Sequence, residues 1–122
     1  MTARKLRMIV MNGQKIIQAL INNEWETTGT IKKAEEGIKP GIYNIYLAKM
    51  PENNKQYEGK ILYIDKENEV FYQQSGKDFI VYQLNAINGK PVAGKDVVVE
   101  YDGEKVHLVQ INILKNKKAL KI

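Results

Sequence analysis

Tyrosines are the side chains whose type and spacing best suit binding chemistry, and the chain has seven of them. Five lie in a stretch of strand-like sequence: Tyr57, Tyr63, Tyr72, Tyr82 and Tyr101. Aromatic rings on an open strand face can stack unpaired nucleic-acid bases, at about 1–3 kcal/mol per base. Tyrosine is also a good strand former that fills small β cores with its hydroxyl at the rim. This structural role is the default, and Tyr63, Tyr72 and Tyr82 are the candidate binding residues.

A glutamine pair, Gln73 and Gln74, lies within one predicted strand, so one of the two side chains should face inward. A buried amide needs hydrogen-bond partners, and we expect it to fix the register of the sheet from inside. The alternative is a ligand contact. Gln74 and Lys77, which is in the following turn, are therefore candidate binding residues.

The last twelve residues carry four lysines and no acidic residue: Lys115, Lys117, Lys118 and Lys121. Ile111 and Leu114 share a helical face with Lys118, so the segment is not a cleanly patterned amphipathic helix. Phosphate contacts from these lysines would be salt-sensitive and blind to base sequence. The segment is open to three interpretations, a docking helix, a phosphate-contacting tail or a frayed terminus.

The sequence contains no recognisable catalytic or metal-binding set. The single histidine, His107, lies in the middle of a predicted strand, and without cysteine a zinc site would need several carboxylates around it. The alternating acids Asp65, Glu67 and Glu69 lack the glycine and closing glutamate of a calcium loop. We therefore predict a protein that is not an enzyme and uses no cofactor, metal or small-molecule substrate.

The charge is unevenly distributed along the 122 residues, which sum to +5. Residues 1–40 carry +3, residues 41–110 carry −2 and residues 111–122 carry +4. A basic chain suggests nucleic acid or an acidic partner, but here the basic residues are at the ends and the middle is slightly acidic. No apolar run reaches the roughly 18 residues of a membrane span, and a cysteine-free chain is simplest to place in the cytoplasm.

The N-terminal part is predicted to contain a short strand over 4–11 and a helix over about 13–22. Asn12-Gly13 can either start that helix or close a hairpin as a type I′ turn. The helical spacing of Ile16, Ile17, Leu20 and Ile21 favours the helix, and the hairpin remains the alternative.

The rest of the chain reads as short strands separated by turns. They are predicted at 42–47, 57–64, 69–74, 79–84, 96–101 and 105–110. Asp102-Gly103 is the strongest hairpin signal in the chain. Strands joined by tight turns predict a small antiparallel barrel of five to six strands, SH3-like or OB-like.

The expected fold class is thus α+β, mainly β. Residues 1–56 form an N-terminal strand and helix that pack on the barrel and bring Trp25 into the core. Residues 57–110 form the barrel, and 111–122 form the basic tail.

The order of glycines, apolar strands and turns in the middle of the chain resembles the KfrB domain. The matching segments are Tyr57–Asp65, Val70–Lys77, Ile80–Tyr82, Pro91 with Gly94–Val97, and Tyr101–Gly103. A histidine frequent in that family after the third strand is Tyr82 here. The resemblance implies a plasmid or conjugation setting, in which the domain stands alone or is appended to DNA-processing proteins. It implies no assigned chemistry.

Together these patterns favour a non-enzymatic accessory protein of a plasmid, phage or other mobile element. Such a protein would serve plasmid maintenance or conjugation and act through contacts with a protein partner, not a membrane. One alternative is a nucleic-acid-binding barrel that uses tyrosine stacking and the basic termini. Another is a small inhibitor of a host defence system.

Overall fold

The structure is a computed structural model that describes residues 5–28 and 31–110, and these residues form strands, turns and two short 3₁₀ segments. The chain divides into two compact units, residues 1–48 and residues 49–122. Within the described ranges, no helix has the length and apolar character needed to span a membrane.

The N-terminal unit is a β-sheet built around a meander of three strands. Strands β1 (Leu6–Met11), β2 (Gln14–Ile21) and β3 (Glu24–Thr27) pair antiparallel in chain order. Strand β4 (Lys32–Lys33) also pairs with β2, and β5 (Gly41–Tyr43) pairs with the other side of β1. One face of β1 supplies buried side chains to the core of this unit.

The helix predicted over 13–22 is wrong, because these residues form β2. Asn12 and Gly13 both have positive φ, 51° and 73°, which is the conformation of a type I′ hairpin turn. The isoleucine and leucine spacing that resembles a helical stripe instead distributes side chains over both faces of a strand. Ala19 is fully buried on one face, and Ile16 and Leu20 are half-buried on the other.

Trp25, which was expected in the core, is half-buried on β3. Its ring lies 5.4 Å from the Tyr46 ring, measured between centroids, and the Arg7 guanidinium carbon lies 4.4 Å from the tryptophan ring centre. Tyr46 belongs to a 3₁₀ segment, Ile45–Leu47, which replaces the second half of the strand predicted over 42–47.

The second unit contains one six-stranded sheet. Its strands are β6 (Lys55–Asp65), β7 (Val70–Ser75), β8 (Asp78–Gln83), β9 (Ile87–Asn88), β10 (Asp96–Tyr101) and β11 (Val106–Gln110), in the order β8-β7-β6-β10-β11-β9. The five strands predicted between 57 and 110 are present with bounds shifted by at most two residues, and β9 is an addition. The Asp102-Gly103 hairpin is confirmed.

The predicted closed barrel is also wrong. Strands β8 and β9 lie at the two edges of the sheet. Among the described residues they do not pair with each other, so the sheet is open. Lys49 bridges the outer edge of β8, where its N–H donates to the Phe79 carbonyl and its carbonyl accepts from the Val81 N–H. At the other edge, β9 pairs in parallel with β11. These backbone hydrogen bonds cover each edge locally instead of joining the two edges.

Strand β6 is shared by the two halves of the sheet. Its first half pairs with β10 and its second half with β7, and the register shifts between Ile61 and Tyr63 in a β-bulge. At Gly59 the backbones of β6 and β7 approach so closely that a Cβ would lie 1.7 Å from the Gln74 carbonyl oxygen. The bulge and this glycine let one strand serve both pairings.

Candidate functional site

The buried amide of Gln73 lies at the centre of the second unit. This side chain is 0% exposed, so Gln73 is the inward-facing member of the glutamine pair, as expected. Its Nε2 lies 3.1–3.2 Å from three backbone carbonyl oxygens, those of Tyr57, Gly59 and Val97. An amide nitrogen has two hydrogens, so these acceptors are sufficient to satisfy it. The amide therefore ties β7 to both β6 and β10.

Tyr82, one of the candidate binding residues, lies in the core. It is 1% exposed, and its hydroxyl donates a 2.6 Å hydrogen bond to Oε1 of Gln73. Burial, with a smaller contribution from Tyr57, raises the pKa of Tyr82 well above its usual range. The Phe71 ring stacks on it at a centroid distance of 4.9 Å. Tyr82 is thus a core residue that orders the amide, and it does not reach the surface.

Tyr63 and Tyr72 form a pair on the opposite face of the sheet. They are direct cross-strand neighbours on β6 and β7, with ring centroids 6.3 Å apart and planes tilted by 15°. Both are half-buried. Burial raises the pKa of both rings, that of Tyr72 to about 12, and the nearby carboxylate of Asp65 adds to the increase for each. For Tyr63, Glu67 contributes as well.

Gln74 and Lys77 lie on the same hairpin as Tyr72. Gln74 is half-buried and is paired in register with Lys60 and Phe79, on the sheet face opposite Gln73. Lys77 is exposed in the two-residue turn between β7 and β8. The structure thus groups Tyr63, Tyr72 and Gln74 on one sheet face, which we call the tyrosine face, and places Lys77 at its end.

The remaining candidates are Lys115, Lys117, Lys118 and Lys121, which lie outside the described residues.

A second group of polar side chains comes together where β6, β10 and β11 run side by side. Gln56, Glu100 and His107 lie directly opposite one another in this order across the three strands. Gln56 Nε2 donates a 2.7 Å hydrogen bond to Glu100 Oε1. A depression of about 270 Å³ opens beside them, and we call it the polar pocket. Its lining includes Lys55, Gln56, Glu100, Tyr101, Asp102 and His107.

The Asp102 carboxylate is fixed by the hairpin that it begins. Its Oδ1 accepts hydrogen bonds from the backbone N–H groups of Lys105 (2.7 Å) and Glu104 (2.9 Å), and His107 Nε2 lies 3.1 Å from its Oδ2. Chiefly through the two backbone donors, and then through His107, these contacts lower the pKa of Asp102 to about 2. Asp102 is therefore ionised at any ordinary pH.

The sequence analysis did not predict that His107 lies beside Glu100 and Asp102. Their grouping could have been found from the hairpin signal, because a turn over 102–105 places residue 100 opposite residue 107. Within the described part of the chain, no group of three or more histidines and carboxylates is arranged to hold a metal ion.

Much of the chain is similar in sequence to known proteins. Residues 56–110 match the KfrB Domain family. Protein TraB of Escherichia coli is 27% identical over 99 residues, which is 79% of this chain and 65% of TraB. The chain therefore spans slightly less than two thirds of that relative, and the similarity extends beyond the 55 residues matched by the family. Residues 56–110 thus match the family that their order of glycines and strands resembles.

Proposed function

We propose that this chain is a non-enzymatic accessory protein of a plasmid or related mobile element, and that its KfrB domain acts by binding another protein. The KfrB domain and the similarity to Protein TraB support a plasmid-related protein. A cytoplasmic setting and a role in plasmid maintenance or conjugation are part of this proposal.

The electrostatics of the tyrosine face favour a protein partner over a nucleic acid. Asp65 lies close enough to raise the pKa of both Tyr63 and Tyr72. Residues 56–110 contain nine acidic residues, six lysines and no arginine, a net charge of −3. A phosphate backbone laid on these rings would meet negative charge within a Debye length, about 8 Å at physiological ionic strength. Tyrosine, by contrast, is enriched in protein interfaces.

Capture of a partner from the host tests this proposal. The full chain would be immobilised and exposed, with chemical crosslinking, to a lysate of cells that carry the plasmid. Tyr72→Thr removes a ring of the tyrosine face but keeps a strand-forming residue, and Tyr46→Thr is the matched control in the N-terminal unit. We expect one protein to be recovered by the wild type and by Tyr46→Thr, and to be lost with Tyr72→Thr. Recovery of the same protein by Tyr72→Thr, with its fold verified by circular dichroism, contradicts the role of this face.

Nucleic-acid binding is the second candidate, because Tyr63 and Tyr72 present nearly parallel rings on neighbouring strands. Fluorescence anisotropy with labelled single- and double-stranded DNA and RNA tests it, using the full chain and a 1–110 truncation at low and near-physiological salt. Micromolar binding that survives salt and weakens in Tyr72→Thr would replace the protein-binding proposal. Binding seen only at low salt, and lost with residues 111–122, would be nonspecific attraction to the basic tail.

A further inference from the structure

We propose that the N-terminal unit binds a carboxylate side chain of a partner protein, at an arginine that its sheet holds against a tryptophan. The arginine is Arg7 and the tryptophan is Trp25. This site goes beyond the function proposed above, because it takes a ligand of its own and shares no residue with the tyrosine face, so either site can fail without the other. The ligand is an aspartate or glutamate that lies between apolar residues of the partner.

The Arg7 side chain is held in place by its neighbours across three strands. Arg7 is directly opposite Gln18 on β2, and Gln18 is opposite Thr27 on β3. Arg7 Nε donates a 2.8 Å hydrogen bond to Gln18 Oε1, and Gln18 Nε2 lies 3.5 Å from Thr27 Oγ1. The guanidinium carbon lies over the Trp25 ring, 4.4 Å from its centre. A guanidinium that is already oriented in this way loses little side-chain entropy when it binds a ligand.

Most of the donors of Arg7 remain available. A guanidinium group has five N–H donors, and the bond to Gln18 uses one of them. The four donors on the two Nη atoms bond to no residue that the structure describes, and no carboxylate of those residues forms an ion pair with Arg7. A fork of paired N–H groups matches the two oxygens of a carboxylate.

The charge of this sheet face selects an anion. Paired residues of neighbouring strands share a face, and successive residues of one strand alternate between faces. The register therefore places Arg7 and Lys33 on one face, which we call the arginine face. Glu24 and Glu26 of β3 lie on the opposite face, where Glu26 pairs with the buried Ala19. The arginine face thus has cations and neither of these carboxylates.

The surroundings of Arg7 favour a protein over a nucleic acid as the source of the anion. The next row of the arginine face is formed by Ile9, Ile16 and Ile42, which are directly paired. Ile9 and Ile16 are half-buried, and Ile42 is 61% exposed. A single-stranded nucleic acid needs a cationic groove that follows its backbone, and isoleucines occupy that place here. Arginine and aromatic residues beside an apolar patch are instead typical of the centre of a protein interface.

Titration of a short peptide into the full chain tests this inference, because Trp25 is the single tryptophan of the sequence and its fluorescence reports on the site. The probe is acetyl-leucyl-aspartyl-leucine amide, and the same peptide with asparagine is an uncharged control of the same shape. We expect a saturable change in Trp25 fluorescence with the aspartyl peptide and no saturation with the asparaginyl peptide. In ¹H–¹⁵N NMR, the aspartyl peptide should shift the signals of Arg7, Gln18 and the Trp25 indole.

Three variants locate the binding. Arg7→Met removes the guanidinium and should raise the dissociation constant of the aspartyl peptide at least about tenfold, the size of one hydrogen bond to a charged group. Arg7→Lys keeps the charge without the fork of donors, and it should raise the dissociation constant about threefold or more. Lys32→Met is the matched control, because Lys32 is exposed and pairs with the buried Lys15 on the opposite face. It should leave the dissociation constant within about twofold. The NMR spectrum of each variant also reports whether it is folded.

The inference is overturned if the aspartyl peptide gives no saturable change, or if the asparaginyl peptide binds as well. It is also overturned if Lys32→Met weakens binding as much as Arg7→Met does, or if Arg7→Lys has no effect, because either result would indicate general attraction to a basic unit. A short oligothymidylate supplies phosphates in place of the carboxylate. If it changes Trp25 fluorescence at a lower concentration than the peptide, and only when Arg7 is present, the site contacts nucleic acid and the carboxylate assignment is wrong.

Discussion

The hydroxyl of Tyr82 donates a 2.6 Å hydrogen bond to the Gln73 side-chain oxygen, and both side chains are at most 1% exposed. The nitrogen of the same amide faces carbonyl groups of β6 and β10. One amide on β7 therefore joins β8, through Tyr82, to the two central strands of the sheet. Buried polar groups that are fully satisfied in this way fix one arrangement of a core.

Tyr82→Phe should destabilise the second unit by about 1–3 kcal/mol, because it leaves a buried amide oxygen without its donor. Tyr101→Phe is the matched control, since it removes an exposed hydroxyl that bonds the Gly103 carbonyl and should cost less than about 0.5 kcal/mol. Urea unfolding of both variants measures the difference. Equal stability of Tyr82→Phe and the wild type would show that the amide finds another partner.

Gly59→Ala should destabilise the protein by about 3 kcal/mol or more, at the large end of single-substitution effects. The added Cβ would lie 1.7 Å from the Gln74 oxygen and 2.8 Å from its carbonyl carbon, so the backbone itself would have to move. Gly76→Ala meets no atom within 4 Å and has only its positive φ of 62° to oppose it, so about 1–2 kcal/mol is expected. Thermal melts followed by circular dichroism compare the two. A Gly59→Ala variant no less stable than Gly76→Ala would contradict the close approach.

The Asp102 carboxyl should titrate at about pH 2 instead of its ordinary 3.8. Because folding lowers this pKa, the ionised carboxylate stabilises the fold at pH values above 3.8, and that stabilisation is lost as the pH falls through 2. Carboxyl ¹³C NMR across this window measures the midpoint. His107→Ala should leave most of the shift in place, because the two backbone donors are its larger cause. A midpoint near 3.8 in the wild type would mean that the turn does not hold the carboxylate.

Tyr72 should remain protonated at a pH where an exposed tyrosine ionises, because burial, with help from Asp65 and Tyr63, raises its pKa from 10.0 to about 12. A pKa raised on folding gives stability that is complete below the unfolded value and is lost as the pH rises through the folded one. The tyrosinate absorbance of the wild type, minus that of Tyr72→Phe, isolates this ring. A difference curve centred near 10.0 would contradict the burial of Tyr72.

The sequence predicted strands and turns correctly where the side-chain pattern and the turn residues indicate the same structure. Asp102-Gly103 and the alternation of buried and exposed residues around Phe71 and Tyr72 located β7, β10 and β11 closely. The helix prediction was wrong for residues 14–21, because their apolar spacing fits a helix and also suits a strand with both faces partly buried. The residues concerned are Ile16, Ile17, Leu20 and Ile21. The deciding information was backbone conformation at Asn12-Gly13, where two successive positive φ angles exclude a helix start.

The binding residues were less predictable, because their positions depend on contacts between distant strands. The sequence predicted that a glutamine would be buried, but not that Tyr82 would be its donor. A tyrosine in a strand has the same local signal in a core as on a surface. The polar pocket likewise depends on β6 pairing with β10 across some forty residues, which puts Gln56 beside Glu100.

The single bridge between Lys49 and β8 has a consequence for how this domain could be moved between proteins. The family match begins at residue 56, but the backbone groups that cover the outer edge of β8 begin at Lys49. A fusion protein that begins at residue 56 lacks Lys49, so the outer edge of β8 would be unpaired. Strands of other molecules could then pair with that edge, and such pairing is a common cause of aggregation in β proteins. A transferable version of the domain should therefore include the seven residues that precede the family match.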